Sequence, residues 1–146
     1  MACRVVLDTN VFVAAYWNRY SASARILRAC RQGQIRACIS DEVEREVRLV
    51  LRTIRAGSDF YADAVEMLLS AERVAPSVHV RVIEEDPEDN KLLSCAAAAR
   101  ADYLISADRH LLSLGKYGDT VILPPARFAE QELAANGGND GGYARP

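Results

Sequence analysis

Short, almost wholly apolar segments alternate with helical patterns along most of the chain, and this alternation constrains the fold more than any other feature. The strand-like segments lie at 3–7, 35–40, 78–83, 102–106 and 120–123. Strands that are apolar on both faces are typical of a parallel sheet that is covered by helices on each side. We therefore predict an α/β fold, with three α/β/α layers and a central, mainly parallel sheet.

Helical patterns fill the gaps between these strands. They lie at 22–33, 41–54, 60–71, 88–101, 107–114 and 126–135. Two of these helices follow the second strand directly, so we expect them to be neighbours on the sheet. We predict one domain over residues 1–134, followed by a flexible glycine-rich tail at 135–146.

Composition places this chain among globular proteins. Its 146 residues, 50% of them hydrophobic, suffice for one domain with a core. The net charge of −2 lacks the basic excess that would by itself indicate a nucleic-acid binder. The four cysteines show no C-x-x-C pair or zinc-site spacing, so we expect reduced thiols. Since neither a signal-like segment nor a bilayer-length apolar run is visible, we expect a cytoplasmic protein.

Acidic residues follow two of the predicted strands. Asp8 comes directly after the first strand, and Asp108 follows the strand at 102–106 after a single alanine. In open α/β sheets the ligand site lies beyond the carboxyl ends of the strands. We therefore expect both carboxylates at the same edge of the sheet.

Two further carboxylates are predicted to point toward the core side of helices. Glu46 lies roughly 60° from the core-facing Val43, whereas the neighbouring glutamates of that helix lie about 100° away. Asp89 projects from the first turn of the predicted helix at 88–101 onto the face that carries Leu93. The helical period therefore selects one acid from each cluster.

Each of these acids also has a purely structural interpretation. Asp8 and Asp108 could cap the helices that follow them. Asp89 could interact favourably with a helix N-terminus, and Glu46 could pair with an arginine on its own helix. All four interpretations stay open at the level of sequence.

Four inward carboxylates at one sheet edge would repel each other unless a cation neutralised them. A site of oxygen ligands without histidine or thiolate suits Mg²⁺ or Mn²⁺. Such an ion can activate water for attack on a phosphodiester. The sequence thus indicates metal-dependent phosphodiester hydrolysis.

Four stretches span about residues 4–132 and read, in this order, VVLDTNVFVAA, ISDEVEREVRLVL, EEDPEDNKLLSCAAAARADYLISADRHLLSL and VILPPARFAE. Together they resemble the PIN domain family and, within it, the VapC-like toxin ribonucleases of toxin–antitoxin systems. The resemblance implies a PIN-like domain that cleaves RNA with Mg²⁺ or Mn²⁺. It also implies two partners, a cognate antitoxin protein and a second copy of the chain in a homodimer.

The resemblance also implies roles for individual residues. The acids implied to hold the metal and to catalyse the reaction are Asp8, Glu46, Asp89 and Asp108. The polar residues implied to orient these carboxylates and metal-bound water are Thr9, Asn10 and Ser106.

The last motif departs from the family pattern in two respects. Ser106 stands where the family usually has threonine, which keeps the hydroxyl. Arg109 and His110 stand where some members carry a further acid, which favours one metal ion over two.

Other functions are compatible with parts of the pattern. A catalytically silent PIN-like module that binds RNA or protein would not need all four acids. A phosphoaspartyl enzyme could use Asp8 as its nucleophile, but Asn10 stands where related phosphatases have a second aspartate. The aromatic residues Tyr16, Trp17 and Tyr20 could stack on an unpaired base or bury a protein contact, and the protein contact is slightly favoured.

Overall fold

A computed structural model describes residues 2–76 and 87–133 of the chain, without the side chains of 87–89. The strands in these ranges are β1 (Cys3–Leu7), β2 (Ile35–Ile39), β3 (Glu72–Arg73), β4 (Tyr103–Ile105), β5 (Lys116–Tyr117) and β6 (Thr120–Leu123). The helices are α1 (Thr9–Trp17), α2 (Ala22–Arg31), α3 (Asp41–Thr53), α4 (Ser58–Ser70), α5 (Pro87–Ala99), α6 (Arg109–Leu114) and α7 (Pro125–Phe128). A π-helical turn at Ala129–Leu133 follows α7.

The strands form one sheet in the order β3-β2-β1-β4-β6-β5. Every neighbouring pair is parallel except β5 and β6, which form an antiparallel hairpin at one edge. At the centre, Val5 of β1 lies opposite Ala37 of β2 and Tyr103 of β4. This confirms the predicted α/β fold with a mainly parallel sheet.

Burial explains why the central strands read as continuous apolar segments. Val5 and Val6 are fully buried and Leu7 is 5% exposed, so both faces of β1 are covered. The two neighbouring helices α3 and α4 follow β2, as predicted. In the ranges that the structure describes, no helix combines the length and apolarity needed to cross a membrane.

The structure differs from the predicted elements in several places. The predicted strand at 78–83 and the tail at 135–146 lie outside the described residues. Strands β3 and β5 were not predicted, because two residues are too few to show a periodicity. The predicted last helix becomes the four-residue α7 and the π-helical turn, while the domain boundary at 134 stays a prediction.

An ion-pair network joins the short strand β3 to the centre of the sheet. The Arg4 guanidinium donates two hydrogen bonds of 2.7 Å to the two carboxylate oxygens of Glu72. Arg36, beside Arg4 in the sheet, donates from Nε to Glu72 Oε1 at 2.9 Å. These bonds, first those from Arg4 and then that from Arg36, lower the pKa of Glu72 from 4.5 to about 2.

We expect Glu72→Gln to lower the free energy of unfolding at neutral pH, because both arginines lose their charged acceptor. A carboxyl group with a lowered pKa stabilises the fold above its unfolded pKa and loses this effect as pH falls toward its folded pKa. The difference between wild type and variant should therefore be largest above pH 4.5 and vanish only below about pH 2. Urea denaturation across this range measures it.

Glu130→Gln, at an exposed glutamate, is the matched control and should leave stability nearly unchanged. A difference between wild type and Glu72→Gln that does not vary with pH would contradict the assignment of the network.

Candidate active site

Asp8 and Ser106 lie side by side because their strands are parallel neighbours. β1 ends at Leu7 and β4 ends at Ile105. The backbone N–H of Asp8 donates to the carbonyl of Ile105 at 3.0 Å, so the pairing continues one residue beyond β1. The residues that follow both strands therefore emerge together at the carboxyl edge of the sheet.

Asp8 is 8% exposed, and its carboxylate is held by hydrogen bonds. The Ser106 hydroxyl donates to Asp8 Oδ2 at 2.6 Å. Asn10 donates its side-chain Nδ2 to the same oxygen at 3.1 Å and its backbone N–H to Oδ1 at 3.5 Å. Asp8 is thus fixed in position by donors from its own helix and from the neighbouring strand.

Burial is the largest influence on Asp8 and raises the pKa of its carboxyl above the ordinary value. The hydrogen bonds from Ser106 and Asn10 oppose this increase, and the negative charge of Asp108 adds to it. The two predicted strand-end acids are therefore close enough to interact electrostatically. A cation between them would favour the charged form of Asp8.

Asp108 is the N-cap of α6. Its Oδ1 accepts hydrogen bonds from the backbone N–H groups of His110 at 2.8 Å and Leu111 at 3.2 Å. Its own N–H donates to the Ser106 hydroxyl oxygen at 2.9 Å. Ser106 therefore bridges the two aspartates, donating to one and accepting from the other.

The structural interpretation of both strand-end acids is confirmed, since Asp8 also caps its helix, α1. Capping does not exclude metal binding. A carboxylate offers about four lone-pair sites on its two oxygens. The capping bonds of both aspartates end on Oδ1, so they occupy only part of each carboxylate. The caps set the direction of each carboxylate, and the catalytic role of both residues stays a prediction.

Glu46 reaches this sheet edge from α3. The Thr9 hydroxyl, next to Asp8 in sequence, donates to Glu46 Oε2 at 2.8 Å. The neighbouring Glu44 is also well covered, but by arginines: it accepts from Arg48 at 2.8 Å and pairs with Arg73 of β3. The sequence did not predict this second network, because Arg73 is remote in sequence.

The remaining predicted acid, Asp89, belongs to the first turn of α5. Its side chain lies outside the described residues, so the meeting of all four acids stays a prediction. Among the side chains that the structure describes, no three His, Cys, Asp or Glu residues form a group that could hold a metal.

Two further contacts at the site were not anticipated from sequence. Asn10 Oδ1 accepts from the backbone N–H of Ala107 at 3.4 Å, which ties α1 to the segment before Asp108. His110 Nδ1 lies 4.0 Å from Asp108 Oδ1. The Asn10 contact joins residues 97 positions apart, whereas the His110 contact lies within the N-terminal cap of α6.

The described donors fit a hard divalent cation in their chemistry. They are carboxylate, hydroxyl and amide oxygens, which Mg²⁺ and Mn²⁺ prefer over softer ligands. A buried carboxylate beside a second negative charge also gives the electrostatic reason for a cation here.

Comparison with known families agrees with this geometry. A family model described as a PIN domain matches residues 4–110. The chain belongs to the PIN domain family, whose members are generally nucleases and typically depend on divalent metals. A search of curated proteins found no match to the chain.

We expect Ser106→Ala to destabilise the protein by about 1.5 to 3 kcal/mol, the range for a buried hydrogen bond to a charged group. The pKa of Asp8 should rise further, because burial remains while a hydrogen bond that lowers it is lost. Urea denaturation measures the free energy, and carboxyl NMR titration measures the pKa.

Ser113→Ala removes an exposed serine hydroxyl from α6 and should change stability by less than about 0.5 kcal/mol. Equal stability losses in the two serine variants would show that the Ser106 bridge contributes no more than an ordinary surface serine.

Proposed function

We propose that this protein is an endoribonuclease that hydrolyses RNA phosphodiester bonds with Mg²⁺ or Mn²⁺. The proposal is supported chiefly by the meeting of Asp8, Ser106 and Asp108 at one sheet edge of a PIN domain. Membership in a family of nucleases supports the reaction class. The buried Asp8 carboxylate, beside the negative charge of Asp108, supports the binding of a metal ion.

In this proposal four acids hold the metal: Asp8, Glu46, Asp89 and Asp108. When bound, the ion would supply an activated water and stabilise charge on the phosphate. Three polar residues would orient the acids: Thr9, Asn10 and Ser106.

The residues of the chain do the positioning. Ser106 and Asn10 both donate to Asp8 Oδ2, which restricts rotation of the carboxylate. Thr9 holds Glu46 in the same way from α1. Fixed ligands limit the reorganisation needed when substrate phosphate arrives, which favours the transition state over the ground state.

We further propose that the nuclease is the toxin of a toxin–antitoxin pair, acting in the cytoplasm as a homodimer. A cognate antitoxin would silence it by placing a basic side chain in the carboxylate cluster. The support for this role is the resemblance of the ordered motifs to VapC-like toxins.

We expect the purified protein to cleave end-labelled RNA in Mn²⁺ or Mg²⁺ and to be inactive in EDTA. Asp8→Asn and Asp108→Asn should each lower the rate by about 100-fold or more, because a catalytic metal is worth several kcal/mol. In cells, induction of the wild type should slow growth, and induction of either variant should not.

Asp119→Asn changes an exposed aspartate in the β5–β6 hairpin and should cleave RNA like the wild type. RNA binding without cleavage in any metal would favour the catalytically silent PIN-like module. Cleavage without growth arrest would support the nuclease proposal and contradict the proposed toxin role.

We expect Thr9→Val to weaken Mn²⁺ binding by about 10- to 100-fold, because Glu46 loses the hydrogen bond that orients it. Excess Mn²⁺ should restore much of the cleavage rate, since the metal ligands themselves remain. Calorimetry and a metal titration of activity measure the two effects.

Thr53→Val, at the exposed end of α3, is the matched control. An unchanged Mn²⁺ affinity in Thr9→Val would contradict the assignment of Glu46 as a metal ligand held by Thr9.

A further inference from the structure

One exposed stripe of α1 leads away from the acidic site. Asn10, Ala14 and Trp17 are spaced at i, i+4 and i+7, so they share one face of the helix. Asn10 contacts Asp8, Ala14 is exposed, and Trp17 is 67% exposed. The nine residues of α1 span about 13 Å, so the stripe connects the carboxylates to an exposed indole ring.

Aromatic contacts on one side hold the Trp17 indole in place. The Trp17 ring lies 4.9 Å from the Tyr16 ring, edge to face, and Tyr16 lies 5.2 Å from Phe60. The Tyr16 hydroxyl oxygen accepts a hydrogen bond from the Gly57 N–H at 3.2 Å. One face of this aromatic stack is therefore fixed to α4, while Trp17 remains open to solvent.

The turn between α1 and α2 presents a second aromatic ring with an arginine over it. The Arg19 guanidinium carbon lies 5.3 Å from the centroid of the Tyr20 ring, and Tyr20 is 46% exposed. Asn18 Oδ1 accepts from the Tyr20 N–H at 2.9 Å, and Arg28 donates to the Arg19 carbonyl at 3.0 Å. These bonds hold the turn in one shape.

The part of the chain that forms α1, α2 and the turn between them carries positive side chains and no negative ones. Residues 9–31 contain no aspartate or glutamate, although the whole chain has a net charge of −2. The arginines in this range are Arg19, Arg25, Arg28 and Arg31. Arg31 pairs with Asp63 and Glu66 of α4, whereas Arg19 lies over an exposed tyrosine. The segment is therefore positively charged, which suits a polyanion such as an RNA strand.

The geometry points to a base-stacking subsite formed by Trp17, Arg19 and Tyr20. It would hold an unpaired base of an RNA strand whose phosphodiester lies at the acidic site. Exposed aromatic rings next to arginine are the usual means of binding single-stranded nucleic acid, because bases stack on the rings while phosphates meet the charge. The inference rests on the proposed function and adds the requirement for a single-stranded substrate segment.

Trp17 is the only tryptophan in the sequence, so tryptophan fluorescence reports directly on this subsite. We expect a single-stranded oligoribonucleotide, titrated in EDTA to prevent cleavage, to quench this emission. An oligonucleotide of the same length with abasic sugars should quench far less, because it keeps the phosphates and loses the bases. Tyr20→Ala and Arg19→Ala should each weaken binding by about fivefold or more.

Arg100→Ala is the matched control, since this exposed arginine precedes β4 at the opposite edge of the sheet. Equal quenching by the two oligonucleotides would overturn the stacking subsite. So would emission that shifts with protein concentration in the absence of RNA, because Trp17 would then be buried between copies of the chain.

Cleavage separates this inference from the proposed function. If the wild type cleaves RNA, Trp17→Ala should raise KM for single-stranded RNA and leave kcat nearly unchanged. An unchanged KM in a protein that still cleaves would remove the subsite alone. A wild type that binds and quenches but never cleaves would remove the nuclease and keep the subsite.

Discussion

The pairing of β1 with β4 is the interaction on which the site depends. Because the Asp8 N–H bonds to the Ile105 carbonyl, the parallel ladder extends past the last apolar residue of β1. This brings the Asp8 carboxylate against the Ser106 hydroxyl, which in turn accepts from the Asp108 N–H. A shift in this register would separate the two aspartates, since Ser106, which bridges them, directly follows β4.

Burial and the proposed metal-binding role make opposite demands on Asp8. Burial raises the pKa of its carboxyl because it makes the charged form less favourable than in water, whereas a metal ligand must be charged. Hydrogen bonds from Ser106 and Asn10 reduce this conflict, and a bound cation would remove it. The bond from the Asn10 backbone N–H also caps α1, so helix formation and site geometry share this contact.

Helix α1 links the carboxylates to the surface that we assign to RNA. Its first turn holds Asp8 and contacts the segment before Asp108, and its last residue is the exposed Trp17. A rigid helix keeps the distance between these two places constant. An RNA strand bound at both would therefore be held in a defined register relative to the cleaved bond.

The amino-acid sequence by itself determined the alternation of strands and helices and the acids at the strand ends, because periodicity and apolar runs are local properties. It also selected Glu46, whose position follows from the helical period. Only the tertiary structure decided that Ser106 bridges two aspartates, that Thr9 holds Glu46, and that Glu72 fastens a two-residue strand. Apart from the local bond between Ser106 and Asp108, these contacts join residues from 37 to 98 positions apart. No local pattern encodes which distant side chains the packed helices and sheet bring within hydrogen-bond distance.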